Sequence, residues 1–280
     1  MIETLPFIAV LASALLHATW NAIARSGPEP GDVLASGVMA SGLISIPCLL
    51  WFGLPSPESL PWLFGGVIIN TIGIRLAMAA YRSASFGLAY PVMRAGIPLL
   101  TLPIGVVILG EWPRPAGVVG VLLIASALIM LAFAARRSAR AEMRGLGYAL
   151  LAAFAGAGYV TADAGGVRLS GNIFGYAFLV ALGNAMALGA MYVVERRNPL
   201  VMFARYARLG FMISAFSTSS FLLYVWVVSQ TPVALAAALR EISVLFAVGI
   251  AQYVLKEEVS RYQWLAAALA VAGVIAIRMA

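Results

Sequence analysis

The stretch Tyr90-Pro-Val-Met-Arg94-Ala-Gly-Ile-Pro98-Leu-Leu100 runs through further apolar residues to Gly110-Glu111. A second stretch, Ala238-Leu-Arg240-Glu-Ile-Ser-Val-Leu-Phe-Ala247, runs in the same way to Lys256-Glu257. Laid over one another without a gap, residues 81–131 and 227–277 keep a constant shift of 146 positions. Arg94 then falls on Arg240, Ser83 on Ser229 and Glu111 on Glu257, with apolar runs on apolar runs. Each segment ends its half of the chain in one layout: apolar helix, short turn with a glutamate, apolar helix. A repeat of that length sets the reading of the whole fold. The chain reads as two related halves, each with one arginine at an equivalent place.

Composition names the solvent. Of the 280 residues 62% are apolar and only 10% charged, with a mean hydropathy of +0.97. A water-soluble domain carries roughly 25% charged residues. Ten apolar stretches of about 20 residues can be marked, at 5–24, 33–53, 61–81, 87–110, 115–135, 145–164, 172–194, 207–229, 232–254 and 261–279. The expected fold is therefore an all-α integral membrane protein of ten transmembrane helices. The domain reading is a first five-helix repeat at 1–135, a basic linker at 136–144 and a second five-helix repeat at 145–280. Five is odd, so the second copy enters the bilayer from the opposite side, which makes the two repeats inverted.

The net charge of +7 is a topology signal in such a chain and not a nucleic-acid patch. Cys48 is the only cysteine, so no intrachain disulfide forms. The first span has no basic region before it and is full length, unlike a cleaved leader. One lysine against seventeen arginines suits a GC-rich bacterial genome, and with it a bacterial inner (plasma) membrane.

Helical spacing sorts the polar residues. Ser13, His17 and Asn21 share one face of the first span, beside Trp20. Asp32 is placed to cap the second span. Arg75 lies deep in the third, two turns from Arg82. The fourth has Tyr90, Arg94, Pro98, Thr101 and Gly105 on one stripe, which reads as a cavity wall. Gly117, Gly120, Ala125 and Ser126 in the fifth suit close packing against another helix or against a second copy in a homodimer. Tyr159 and Asp163 end the sixth. Ser217 and Tyr224 lie in the eighth among other hydroxyls, each as well suited to packing as to substrate contact.

An uncompensated cation at mid-bilayer costs at least about 2.5–3.5 kcal/mol on insertion scales. This chain carries one in each half. An anionic group on a cargo, held by the guanidinium fork, is one reason; a structural ion pair with Glu241 or Asp163 is the other. Glu241 projects about 100° away from its neighbour Arg240 around the helix, so it is better placed to bond the other arginine. The candidate substrate contacts are Arg94, Arg240, Tyr90, Arg75, His17, Trp20, Ser217 and Tyr224. Glu241 and Asp163, with His17, are the candidates for an intramembrane proton site.

The quoted stretches, together with His17-Ala-Thr-Trp-Asn-Ala22 and the run Leu269-Ala-Val-Ala-Gly-Val274, resemble the drug/metabolite transporter superfamily, and within it the ten-helix EamA-type members. The likeness covers nearly the whole chain and is specific for the superfamily, not for a substrate. It implies a central cavity lined by helices 3, 4, 8 and 9. It also implies basic residues at positions 94 and 240 like those of members that handle phosphate compounds. Since such members include amino-acid exporters, the expected function is secondary-active or facilitative export of amino acids or similar small anionic or zwitterionic metabolites by alternating access. The competing reading is a non-transporting lipid-handling or accessory membrane protein. No cofactor is expected: no Gly-rich nucleotide loop is present, and one histidine and one cysteine leave little for a metal cluster or for enzymatic catalysis.

Charge also orients the chain. The connections opposite the termini hold Arg25, Arg82, Arg136, Arg137, Arg140, Arg144, Arg196, Arg197, Lys256 and Arg261, and the terminal side holds Arg114, Arg168 and Arg278. The positive-inside rule puts the termini outside. The resemblance puts them in the cytoplasm.

Overall fold

A computed structural model describes residues 3–84, 86–134, 143–243, 246 and 261–280. The regular elements among them are all helical: α1 (Thr4–Ser26), α2 (Pro30–Phe52), α3 (Leu60–Ser83), α4 (Phe86–Leu109), α5 (Pro115–Ala134), α6 (Met143–Leu169), α7 (Ile173–Val194), α8 (Pro199–Val228), α9 (Val233–Arg240) and α10 (Arg261–Met279). A short 3₁₀ turn, Pro57–Ser59, leads into α3. Without water in the bilayer core, a helix is the form in which a spanning segment satisfies its own backbone. Seven of these helices are long and apolar enough to cross a membrane, and Pro115–Met130 and Trp264–Met279 are apolar but shorter. Large side chains such as Leu50, Trp51 and Val107 are about four-fifths exposed on the outside of the bundle, where the surrounding medium is lipid.

Local chemistry marks the ends. Proline stands in the first turn of α2 and α8, where its missing N–H is no loss. The Asn172 side chain accepts from Gly175 N at 2.9 Å to cap α7, and Asn198 accepts from Leu200 N at 2.9 Å to cap α8. Gly53, Gly110 and Gly171 follow α2, α4 and α6 with φ of +80°, +69° and +61°, a region other residues enter at a cost. The short α7–α8 turn puts Arg196 itself at φ +56°.

The observed elements differ from the expected spans at four places, the first being the sixth helix, which runs on to Leu169 so that Tyr159 and Asp163 lie within it and do not end it. Asp32 is not a cap: α2 starts at Pro30 after Glu29, and the Asp32 carboxylate instead accepts from Tyr192 Oη of α7 at 2.7 Å. The eighth helix starts at Pro199, not 207, and bends at Tyr206 (φ −119°, ψ 17°), so Arg205 and Arg208 lie within it. The expected ninth span is interrupted: α9 ends at Arg240, Glu241 and Ile242 form a turn, Ser243 and Phe246 are helical again, and the rest of 244–254 lies outside the described residues. Most of the expected linker, 136–142, and Glu257 lie outside the described residues.

Packing follows small residues and hydroxyls. Helix α3 packs along α6, α2 along α7 and α8, α1 along α8, and α5 along α10. At the α5–α10 crossing a Cβ on Gly120 would lie 2.6 Å from Gly273 O, and one on Gly273 would lie 2.8 Å from Gly120 O. The small-residue face of α5 therefore serves contact within the chain. Ser13 Oγ donates to Ser220 O at 2.7 Å while Ser220 Oγ donates to Ser13 O at 2.8 Å, tying α1 to α8. Ser41 and Ser214 share a 2.9 Å bond between α2 and α8, and Asn70 Nδ2 donates to Asn184 Oδ1 at 3.0 Å between α3 and α7. Each such bond stabilises a lipid-embedded bundle by about 0.6–2 kcal/mol.

Candidate functional site

A cavity of about 600 Å³ enters the bundle from the end opposite the chain termini. Its mouth is formed by Gly31, Asp32, Tyr81, Tyr192, Glu195 and Arg197, and its floor by Tyr159, Asp163, Val180 and Arg240. Between them the walls are mostly apolar, with Val38, Ile74, Met78, Leu188 and Met191, and carry a few polar groups, among them Asn70, Asn184 and Ser217. That size and mixture fit a small organic ligand. Helices α2, α3, α7 and α8 form the walls; α4 supplies no lining residue, contrary to the expected set of helices 3, 4, 8 and 9.

Ion pairs ring the mouth. Arg197 pairs with Asp32 and stacks 4.7 Å over the Tyr192 ring, and Arg75 Nη1 lies 2.6 Å from Glu195 Oε1. Arg75 is thus an exposed residue at the rim and not the deep cation its position in the span suggested, because Glu195 follows α7 at the same level.

The other end is sealed. The left-handed Gly110 turns the chain after α4 so that Glu111 points back into the bundle. There Glu111 Oε2 accepts from Val233 N, the first residue of α9, at 2.7 Å, and Oε1 pairs with Arg168. Arg168 Nη2 also donates to Val228 O at 2.9 Å and Thr231 O at 3.1 Å. Glu111 and Arg168 were not among the candidates. The Gly-Glu turn was the only signal for them, and it carries no hint of the partner.

The two arginines that the sequence overlay aligns have different surroundings. Arg94 Nε lies 2.7 Å from Glu241 Oε2, and Arg94 Nη2 donates to Ser243 Oγ at 3.0 Å. Neither Arg94 Nε nor Glu241 Oε2 meets hydrogen-bond geometry, so this contact is an ion pair by distance and not an aligned bond. Tyr90 sits under the Arg94 guanidinium, 5.7 Å from it. Together with Gly105, whose surroundings include Val233, these residues turn the polar stripe of α4 toward α9 and away from the cavity. Glu241 bonds the arginine of the other half, as its helical angle suggested.

Arg240 has no carboxylate partner of this kind among the described residues. Its guanidinium lies 4.2 Å over the Tyr224 ring and 3.5 Å from His17 Nδ1, and its Nε has no hydrogen-bond partner. His17 in turn meets Trp20 edge to face, ring centroids 4.8 Å apart. Arg240 ends α9 seven residues after its first, about 10 Å into the bundle, where the helix carbonyl terminus favours a cation. Of the expected contacts, Arg240, Trp20 and Ser217 line the cavity, as does Asp163; His17 and Tyr224 support Arg240 from behind. Arg94, Tyr90 and Glu241 form a separate buried cluster.

Residues 143–279 match the model of the EamA-like transporter family. That second half of the chain belongs to the family. The EamA-like protein shares its fold with a solved crystal structure of another protein, at a TM-score of 0.75 over 99% of this chain and 96% of that one, with 18% identity. That likeness speaks to the fold alone. No curated protein matches the sequence. Membership makes this EamA-like protein a multi-pass membrane protein of a transporter family.

Proposed function

We propose that this EamA-like protein exports amino acids or similar small anionic or zwitterionic metabolites across a bacterial inner membrane, by alternating access through the cavity between two inverted five-helix repeats. The observation that carries the reading is a cavity open at one end of the bundle, sealed at the other, with Arg240 at its floor. Arg240, Trp20 and Ser217 are the substrate contacts, and Arg94, paired with Glu241, is a positioning residue between α4 and the end of α9.

The helix contacts support inversion, because several of them have a counterpart when α1 to α5 are exchanged for α6 to α10. The packing of α1 on α8 answers α6 on α3, and α2 on α8 answers α7 on α3. Pairs such as α2 with α7, α4 with α9 and α5 with α10 answer themselves. The family match at 143–279 nearly coincides with the second repeat. Arginine enrichment at the mouth end supports a mouth facing the cytoplasm, which suits loading for export. Cargo gradient or proton exchange supplies the drive. A homodimer would need a face other than the small-residue stripe of α5, which α10 occupies.

Flux in liposomes tests the proposal. Vesicles holding the purified protein should exchange a labelled amino acid against an unlabelled one, faster than empty vesicles. An absence of exchange across a panel of amino acids would turn the reading toward a non-transporting accessory or lipid-handling role.

A further inference from the structure

We propose that Asp163 is the site for the cationic group of the ligand, so that Asp163 and Arg240 together read the two charges of a zwitterionic amino acid with an apolar side chain. This rests on the transport reading and adds to it a residue for the second charge. Asp163 is 1% exposed, lines the cavity floor, and leaves Oδ2 without a hydrogen-bond partner. Its Oδ1 accepts from Tyr176 Oη at 3.3 Å, which fixes the carboxyl plane. Gly166 permits this: a Cβ there would sit 2.6 Å from the Tyr176 ring.

Opposite charges in one low-dielectric space normally close on each other, as Arg94 and Glu241 do at 2.7 Å. Asp163 and Arg240 line the same cavity without forming an ion pair, and each leaves a buried polar atom unpartnered. Such atoms are rare in a finished core and mark a place where a ligand supplies the partners. Asp163 lies six residues before the end of α6, about 9 Å from it, close to the roughly 10 Å depth of Arg240. The floor therefore offers an acceptor for an ammonium and a fork for a carboxylate at similar depth. Above them Val38, Ile74, Met78, Leu188 and Met191 offer an apolar wall to a side chain.

The test is binding to the purified protein in detergent, by isothermal titration, with leucine, methionine, phenylalanine and tryptophan. Each is compared with its N-acetyl form, which lacks the ammonium, and its methyl ester, which lacks the carboxylate. The wild type should bind at least one free amino acid about tenfold more tightly than either blocked form. Asp163→Asn should bring the free and N-acetyl forms level, Asp163→Glu should restore the preference in part, and Arg240→Gln should bring the free amino acid and its ester level. Unaltered elution on size exclusion shows that the variants are folded. No binding of any free amino acid, or an Asp163→Asn protein that still discriminates against the N-acetyl form, overturns the proposal. Binding with these preferences but no flux in liposomes would sink the transport reading and leave this site standing.

Discussion

Glu241 pairs with Arg94, 147 residues away, and not with Arg240, its neighbour in the chain. Adjacent helical side chains point about 100° apart, so one carboxylate serves one direction. The choice leaves Arg94 neutralised in a contact between α4 and α9, and Arg240, among the described residues, without a carboxylate ion pair at the cavity floor. The two arginines that align in the sequence overlay thereby sit in different environments.

Breaking the Arg94 pair should harm the fold before it harms the site. Arg94→Ala strands the buried Glu241 carboxylate and should lower stability by about 3–5 kcal/mol. The double variant Arg94→Met with Glu241→Leu should recover most of it, since paired apolar replacements of similar volume often do no harm. Thermal unfolding in detergent reads both; equal losses for the single and double variants would remove the pair from the account.

Arg240 should behave in the opposite way. Arg240→Gln breaks no direct ion pair among the described residues and forfeits the contact over Tyr224, of about 2 kcal/mol. Transport should fall at least about tenfold, a loss of about 1.4 kcal/mol in transition-state terms, while the protein still purifies as a folded monomer or oligomer. Arg240→Lys should recover only part, because the ammonium lacks the fork. Initial rates in liposomes, set beside size-exclusion profiles, check this.

The sealed end should open when its latch is weakened. Glu111→Gln can still accept from Val233 N but loses the charge that holds Arg168. With Cys48→Ser as background, a cysteine introduced at Val180 on the cavity floor should react with an impermeant maleimide from the terminal side at least about threefold faster in Glu111→Gln. Unchanged labelling would make the Glu111–Arg168 pair a cap for α9 and nothing more.

Crowding at the α5–α10 crossing gives a stability prediction. Gly120→Ala sets a methyl against the Gly273 carbonyl and the Ile277 backbone, atoms that cannot swing aside. It should cost about 1–3 kcal/mol, read as a lower unfolding temperature, with transport by the surviving folded protein near normal. Gly31→Ala, where no atom lies within 4 Å of the added methyl, is the matching control.

Much of this was legible along the chain. Apolar runs of about 20 residues leave no solvent but lipid and no backbone but helix, and three- and four-residue spacing put Ser13, His17 and Asn21 on one face. The overlay of Arg94 on Arg240 singled out both arginines, since mid-bilayer charge is too costly to be incidental. The α4 stripe misled because periodicity says which residues share a face and not what the face meets; it meets α9.

Sequence alone therefore determined the medium, most of the helices and several of the polar residues inside the bundle, because each follows from local composition and a fixed rise per residue. Tertiary structure decided which arginine is neutralised, where α9 stops, that Asp32 and Glu195 hold mouth arginines, and that Glu111 latches Arg168. Those outcomes depend on how each helix is rotated against partners a hundred or more residues away, and a one-residue turn of about 100° exchanges one partner for another.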